Sequence, residues 1–400
     1  ARDQRVAAEG MIALLAHQAE GAGPAPHRQK RRVAGGLRQP HHAFPSRRHQ
    51  ARAPRRLRAE NLQLLTWMIA AGGVLLDQAR PDQRQRETAD RGLVQPRLGD
   101  QRRQAGAISG PDAVQQQQHN TGDGTTWHKG AERFGELLAE RSDGEMSLRV
   151  FPNAQLAGGD QMRQADMVGR GALDFVMTSA INVTPLVQEM AVFSLPYMYE
   201  NYDQVDATTA EGGPAEALRE ILREKGIEVL AWGENGFREV TNNTRPIRSP
   251  ADMAGLNMRV AGPMYIDGMN ALGANPQQMQ WTETLTALQQ GVVDGQENPI
   301  GAVIIPQQVY EVQKYLTTWH YSYDPIFLGI SKAKFDAYDA ETQGMLREVA
   351  AEAMEYQRQI TREGTETGVA FLREKGMEVY EPTPEELAAF REATQPAFDQ

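Results

Sequence analysis

Hydrophobic and polar positions follow two regular spacings from about residue 128 onward. Between residues 128 and 143 apolar side chains recur every three or four positions, which predicts a helix, and Gly144 ends it in the left-handed conformation. Residues 146–150 then alternate between apolar and polar, as a strand with one buried face does. A helix over 160–168 and a strand over 173–177 repeat this order. Helices that alternate with short apolar strands indicate an α/β fold with mostly parallel sheets.

Later segments extend the same pattern. LREKGIEV at residues 222–229 recurs as LREKGMEV at residues 372–379, and each predicts a helix that a glycine ends before a strand begins. Because this order is common in α/β proteins, we interpret the recurrence as shared local structure rather than as an internal repeat. Residues 340–372 contain no proline and predict a long, charged amphipathic helix.

Residues 1–118 differ in composition from the rest of the chain. They contain 20 basic and 10 acidic residues, whereas residues 119–400 contain 22 basic and 42 acidic ones. Three interpretations are open: a basic arm for nucleic acid or anionic lipid, a disordered tail, and upstream or out-of-frame DNA translated in error. The abrupt change of composition at residues 115–118 favours the third. The apolar run at 64–76 has the length of a signal-peptide core, but it does not have the position of one.

Composition and motifs exclude several classes of function. The acidic excess of residues 119–400 argues against nucleic acid as a partner of this part, since phosphate binding needs clustered cations. The chain has no cysteine, which removes disulfides, thiolate nucleophiles and cysteine-based zinc sites. After residue 119 only His128 and His320 occur, so we expect no site built from several histidines. The common motifs of nucleotide-binding proteins, zinc proteases and serine hydrolases are missing, and we expect no catalytic residues, metal or cofactor.

Polar side chains near strand ends are the candidates for ligand binding. Arg238 follows the apolar strand predicted at 229–232, and Arg259 lies on the polar face of the strand predicted at 256–260. Asn298 precedes a proline that holds it extended. Arginine grips a carboxylate with two parallel hydrogen bonds, so both arginines could hold an acid. The alternative for each is an ordinary surface ion pair.

Asp294 and Glu297 form the one candidate pair for acid–base chemistry. Two carboxylates at this spacing could also hold a hard cation through their oxygens. The alternative is that both are loop carboxylates that cap backbone amides, and this interpretation is the favoured one.

Several blocks of the chain resemble the TRAP transporter periplasmic solute-binding proteins of the DctP type. They run in order across about 120–400, and the combination of RV, GANP and DGQENP is specific where each alone is not. The blocks are FPNAQLAGG at 151–159, GALDFVMTSA at 171–180, FSLPYMYEN at 193–201, GFREVTNNTRPIRSPADMAGLNMRV at 236–260, ALGANPQQMQWTETLTALQQGVVDGQENP at 271–299 and YEVQKYL at 310–316.

The resemblance implies two α/β lobes with mixed, mostly parallel sheets, joined by crossing strands and a long lobe-spanning helix. Lobe I would comprise residues 119–235 plus 324–363, and lobe II residues 236–323 plus 364–400. Four glutamines at 115–118 stand where the first strand is expected, so a central position of the lobe I sheet would be empty. The chain also ends before a last helix that we expect after Phe398.

The resemblance also implies ligand-binding residues. Arg259 stands at the family's carboxylate clamp, and Arg238 and Asn298 match positions that also hold the acid group. Trp281 matches an aromatic wall of the pocket. The remaining positions carried over by similarity are Asn120, Thr178, Ser179, Gln296, Glu297 and Tyr323.

The mechanism implied is hinge closure around a small organic acid, of the C4-dicarboxylate or sugar acid class. The partners would be the TRAP transporter membrane subunits, the location would be the periplasm, and the receptor would be a monomer that binds no nucleic acid.

Two other classes of function stay open. A sensor would pass the closed form to a signalling receptor, and its gene would adjoin a kinase rather than transporter subunits. A metal-assisted lyase would consume the bound acid, so recovery of an unchanged ligand would exclude it.

Overall fold

The computed structural model describes residues 113–398, which contain two β-sheets flanked by helices. The strands of this part are β1 (Ala113–Gln118), β2 (Met146–Phe151), β3 (Phe175–Ser179), β4 (Ile227–Phe237), β5 (Glu239–Asn242), β6 (Asn257–Val260), β7 (Asn275–Gln278), β8 (Gly295–Asn298), β9 (Tyr315–Thr317), β10 (Tyr323–Ser331) and β11 (Glu378–Tyr380).

The helices connect and cover these strands. They are α1 (Thr126–Arg141), α2 (Gln164–Gly169), α3 (Ala180–Val183), α4 (Tyr202–Thr209), α5 (Glu216–Glu224), α6 (Met264–Ala271), α7 (Trp281–Gln289), α8 (Lys332–Ala337), α9 (Ala340–Glu366), α10 (Gly368–Glu374) and α11 (Pro384–Thr394). Short 3₁₀ segments lie at Gln155–Ala157, Gln188–Ser194, Pro250–Met253, Val309–Glu311 and Gln395–Phe398, and a π-helical turn at Ile300–Ile304.

Most elements predicted from the spacing are confirmed. The first predicted helix is α1 and the strand after it is β2, with Gly144 at a φ of 80° between them. Both LREKG segments end a helix at a left-handed glycine, before β4 in one case and β11 in the other. The helix predicted over 160–168 is shorter, because it begins only at Gln164.

The first sheet has the order β2-β1-β3-β10-β4. Its second position is filled by β1, so the expected vacancy is wrong. All six residues of β1 pair with β2, and Gln117 and Gln118 also pair with β3. Strand pairing uses backbone groups, so a run of glutamines can occupy the position although its side chains suit a buried strand poorly.

The second sheet has the order β11-β9-β5-β8-β6-β7. Across both sheets five of the nine strand pairings are parallel, so the predicted mixed α/β architecture with a parallel majority is confirmed. The first sheet packs its apolar side chains against α1 and α9 in one core, and a separate core surrounds β6 and α6.

The long helix predicted at 340–372 is α9, which α10 continues after Thr367. Its buried side packs on α1 and β4, and its later turns pass the π-helical turn at Ile300–Ile304. There a Cβ on Gly301 would lie 2.3 Å from the carbonyl oxygen of Thr361, so only glycine allows this approach. α9 therefore contacts β4, which precedes the β4–β5 connection, and also the π-helical turn at Ile300–Ile304, which follows it.

No helix in residues 113–398 is both long and apolar enough to cross a bilayer. Of residues 1–118, for which three interpretations were open, residues 1–112 lie outside the described residues, whereas residues 113–118 form the ordered strand β1. The helix expected after Phe398 also lies outside the described residues.

Candidate ligand-binding site

Strands of both sheets end at one partly open cleft, whose space of about 310 Å³ includes open solvent at its mouth. The cleft lies at the carboxyl ends of parallel strands, where α/β proteins bind ligands. Its lining consists of Asn120, Thr121, Trp127, Gln161, Ser179, Asn182, Asn235, Arg238, Arg259, Ala261, Trp281, Asn298, Val303 and Asp324. Polar side chains form most of this wall, with two indole rings among them, as in sites that orient a small polar ligand.

Arg259 is a buried cation in this wall. It is 1% exposed, yet no carboxylate of the described residues forms an ion pair with it. Its Nε and Nη2 donate to the carbonyl oxygen of Met279 at 3.1 and 2.9 Å. Burial lowers its pKa to about 10, the Glu297 carboxylate opposes this, and Arg238 adds to it. Arg259 is therefore still charged at neutral pH and can pair with an anion from solution.

Arg238 lies beside Arg259 but is already paired. Its Nε contacts the Glu297 carboxylate, and its Nη1 lies 3.2 Å from Oδ2 of Asp324. Its Nη2 donates to the carbonyl oxygen of Glu297 and to Oδ1 of Asn298 at 2.7 and 3.0 Å. Although burial lowers the pKa of Arg238, the Glu297 carboxylate raises it above its ordinary value. Arg238 therefore positions neighbouring side chains of the cleft wall rather than offering an unpaired guanidinium to a ligand.

Asp324 is a buried acid in the same wall. Its carboxylate accepts hydrogen bonds from the Ser179 hydroxyl at 2.7 and 2.8 Å, and from Nδ2 of Asn235 at 2.7 Å. Burial raises its pKa to about 6, while Arg238 and the two hydrogen-bond donors act in the opposite direction. Near neutral pH the cleft therefore contains a fixed negative charge close to its two cations.

Gln161 connects the two sides of the cleft. Its Nε2 donates to Oδ1 of Asn182 at 3.0 Å and to the carbonyl oxygen of Ala261 at 3.2 Å. Its Oε1 accepts from the backbone N–H of Trp281 at 2.9 Å. Asn182 also donates to Asn120, which follows β1. These contacts bring the loop before α2 against the start of α7, and all of the residues involved are buried.

Six of the ten residues implied by the resemblance line the cleft. They are Asn120, Ser179, Arg238, Arg259, Trp281 and Asn298.

The other four lie outside the cleft lining. Thr178 and Tyr323 each precede a lining residue on a strand, so their side chains point to the opposite face. Tyr323 donates instead to Glu234. Gln296 forms hydrogen bonds with Thr241 and Asn298, and the Glu297 carboxylate forms an ion pair with Arg238. These four contact the lining rather than the empty space.

Sequence reasoning missed Asp324, Asn235, Gln161 and Trp127. The signal for Asp324 was strand alternation: of the neighbours Tyr323 and Asp324 only one can face the cleft, and the sequence does not give the face. Gln161 lies in an irregular loop, where no spacing marks its direction.

The remaining candidates for chemistry have structural partners. Asp294 accepts a hydrogen bond from the backbone N–H of Asn257 at 2.8 Å, as the capping interpretation expected. For Glu297 that interpretation is wrong, because Glu297 lies on β8 and pairs with Arg238. The histidine count overlooked His119, whose Nε2 lies 3.0 Å from Nδ1 of His128. Burial, and then the charge of His128, lower the pKa of His119 to about 3. Within residues 113–398 no three His, Cys, Asp or Glu side chains are grouped as metal ligands.

Sequence comparison relates this chain to a known family of proteins. The profile of the family described as "Bacterial extracellular solute-binding protein, family 7" (DctP) matches residues 117–400. The 2,3-diketo-L-gulonate-binding periplasmic protein YiaO of Escherichia coli K12 is 36% identical over 253 residues, which cover 63% of this chain and 76% of that protein. The C4-dicarboxylate-binding periplasmic protein DctP of Rhodobacter capsulatus is 34% identical over 275 residues, 68% of this chain and 81% of that one.

A solved structure gives the same fold. The TRAP periplasmic solute-binding protein of Ralstonia eutropha H16, crystallised with bound (S)-2-acetolactate, superposes with a TM-score of 0.69 at 35% sequence identity. The match covers 72% of this chain and 92% of that one. Sequence and fold agree, and the chain belongs to the DctP family of TRAP-type solute-binding proteins, whose members bind small organic acids.

Proposed function

We propose that this chain is the extracytoplasmic receptor of a TRAP transporter and that it captures a small organic acid in the cleft. The observation that carries the proposal is Arg259, a buried guanidinium in the cleft wall without a carboxylate partner in the described part of the chain. Burial of an unpaired charge is costly, so such a group implies an anion that completes the site. A carboxylate is the planar anion that fits an arginine fork.

The acid group would lie against Arg259, with Asn298 and Trp281 on either side of it. Asn298 donates from Nδ2 to Gln296 and accepts from Arg238 through Oδ1, which fixes its orientation. The Arg259 guanidinium lies over the indole ring of Trp281. Two relatives support the acid class: YiaO is named for its binding of 2,3-diketo-L-gulonate, and the Ralstonia protein was crystallised with acetolactate.

Capture would proceed by closure of two lobes, residues 119–235 plus 324–363 and residues 236–323 plus 364–400. In this proposal Gln161 belongs to lobe I and its partners Ala261 and Trp281 to lobe II, so its hydrogen bonds form when the lobes close. A ligand held between the lobes favours the closed state by its contacts with both. The closed form would then dock on the membrane subunits of the transporter.

The receptor would act without catalysis, in the periplasm and as a monomer. To test the function, the purified protein is incubated with a panel of organic acids and unfolded thermally, and the acids are then recovered and identified. We expect at least one acid to stabilise the protein and to be recovered unchanged. Consumption of the bound acid would establish the lyase instead, and the absence of any stabilising acid would overturn the proposal.

A further inference from the structure

One positive charge of the cleft has no carboxylate partner among residues 113–398. Arg238 is paired with both Glu297 and Asp324, whereas in this part of the chain Arg259 bonds only to the carbonyl oxygen of Met279. All four ionisable side chains are buried, and their formal charges cancel. The described lining holds no lysine, histidine or third arginine. A first ligand carboxylate therefore meets a cation, and a second one finds no cation left to pair with.

Asp324 is the acid that a ligand meets, because it lies in the lining whereas Glu297 does not. Its Oδ2 accepts from Asn235 and Arg238 at 2.7 and 3.2 Å. The Ser179 hydroxyl lies 2.7 Å from Oδ1 and 2.8 Å from Oδ2, and its single proton is the one donor that reaches Oδ1 within residues 113–398. Since a carboxylate oxygen can accept two hydrogen bonds, Oδ1 has room for a donor from the ligand. A hydroxyl supplies that donor, and a second carboxylate supplies a like charge instead.

We infer that this receptor selects singly charged acids that carry a hydroxyl group away from the carboxylate, and that Asp324 is the residue which excludes dicarboxylates. The inference rests on the proposed function, because it takes the acid group to lie on Arg259. Specificity of this kind comes from an unfavourable contact with the wrong ligand as well as a favourable one with the right ligand.

The rest of the wall fits the same ligand class. Asn120, Gln161, Asn182 and Asn235 present neutral amides, which can hydrogen-bond to hydroxyl and carbonyl groups but supply no positive charge to balance a second carboxylate.

The test is calorimetric titration of the full chain with matched pairs of four-carbon acids. In each pair a terminal hydroxymethyl group replaces one carboxylate: 4-hydroxybutanoate against succinate, and erythronate against tartrate. We expect the hydroxy acid of at least one pair to bind about tenfold or more tighter than its dicarboxylate. In Asp324→Asn, which keeps the shape and removes the charge, we expect that preference to fall to about threefold or less.

Glu234→Gln is the matched control, because Glu234 is also a buried acid but lies outside the lining and pairs with Arg362. Its preference ratio should equal that of the parent chain. A dicarboxylate that binds the parent chain as tightly as its hydroxy partner would overturn the inference, and so would an unchanged ratio in a folded Asp324→Asn. If that variant does not fold, the ratio in the parent chain still decides. If no acid binds at all, the proposed function fails with it, whereas tight dicarboxylate binding that depends on Arg259 refutes the inference alone.

Discussion

Arg259 lies over the indole ring of Trp281, with its central guanidinium carbon 5.4 Å from the ring centroid. Its Nε and Nη2 are held by one carbonyl oxygen, that of Met279, so the plane and the direction of the fork are fixed before a ligand arrives. A cation over a buried ring is stabilised without being neutralised. The arrangement therefore keeps a charged donor in place at little entropic cost to the ligand that binds it.

Removing this donor should remove ligand binding. A ligand at 100 times its dissociation constant adds about 2.7 kcal/mol to the free energy of unfolding. In Arg259→Ala we expect no such increase from any acid that stabilises the parent chain. Differential scanning fluorimetry across the acid panel measures the effect.

Arg149→Ala is the control for that experiment, since Arg149 lies on β2 and outside the cleft lining. It should keep the full ligand-induced rise in Tm. A rise of undiminished size in Arg259→Ala would show that the acid group binds elsewhere.

Gln161 should raise the affinity for the ligand, because its hydrogen bonds stabilise the closed state of the two lobes. Gln161→Ala removes two hydrogen bonds between the two sides of the cleft, those to Ala261 and Trp281. At about 0.5–1.5 kcal/mol each, their loss should weaken binding by roughly tenfold and mainly speed dissociation. Because two tryptophans line the cleft, stopped-flow tryptophan fluorescence reports both rates.

The exposed Gln155 supplies the comparison, and Gln155→Ala should leave both rates unchanged. An association rate that falls while dissociation stays constant would contradict the role of Gln161 as a closing contact.

The selection against dicarboxylates should depend on pH through Asp324. Burial raises the pKa of this carboxyl to about 6, so lowering the pH from about 7.5 to about 5 protonates it and removes one negative charge from the cleft. Arg259, with a pKa of about 10, keeps its charge over this range. We therefore expect the affinity for tartrate relative to erythronate to rise by up to about tenfold as the pH falls.

Titration calorimetry at several pH values measures this ratio, and Asp324→Asn provides the control because it has no proton to gain. Its ratio should be independent of pH. A ratio in the parent chain that falls on acidification has the wrong sign and would exclude Asp324 as its cause.

The fold was largely predictable because its periodicities are local. Apolar spacing, left-handed glycines such as Gly144 and Gly226, and the strand containing Arg259 each depend on a few neighbouring residues. The family resemblance then supplied what local spacing cannot, namely which strand ends meet. Six lining residues followed from it, whereas the pairing of Arg238 with Glu297 and Asp324 joins positions far apart in the chain and left no local sign.

The failed expectation at residues 115–118 has a different cause. Side-chain preference argued against a buried strand of glutamines, but the backbone between β2 and β3 can pair with both neighbours whatever the side chains are. The β-propensity of a residue describes how well its side chain suits a strand. It does not decide whether a segment occupies a position between two other strands.

The free-energy cost of a buried glutamine in β1 is measurable at Gln117. Its side chain is fully buried, and neither its Nε2 nor its Oε1 has a hydrogen-bond partner in the described chain. An unpaired buried amide costs about 1–3 kcal/mol, so Gln117→Leu, of similar size, should raise the free energy of unfolding by that amount and Tm by roughly 2–6 °C. Thermal and urea unfolding measure both quantities. Gln116 is exposed on the same strand, and Gln116→Leu should change stability by less than about 0.5 kcal/mol. If Gln117→Leu is instead destabilising, its amide has a partner such as a buried water, and the strand tolerates glutamine for that reason.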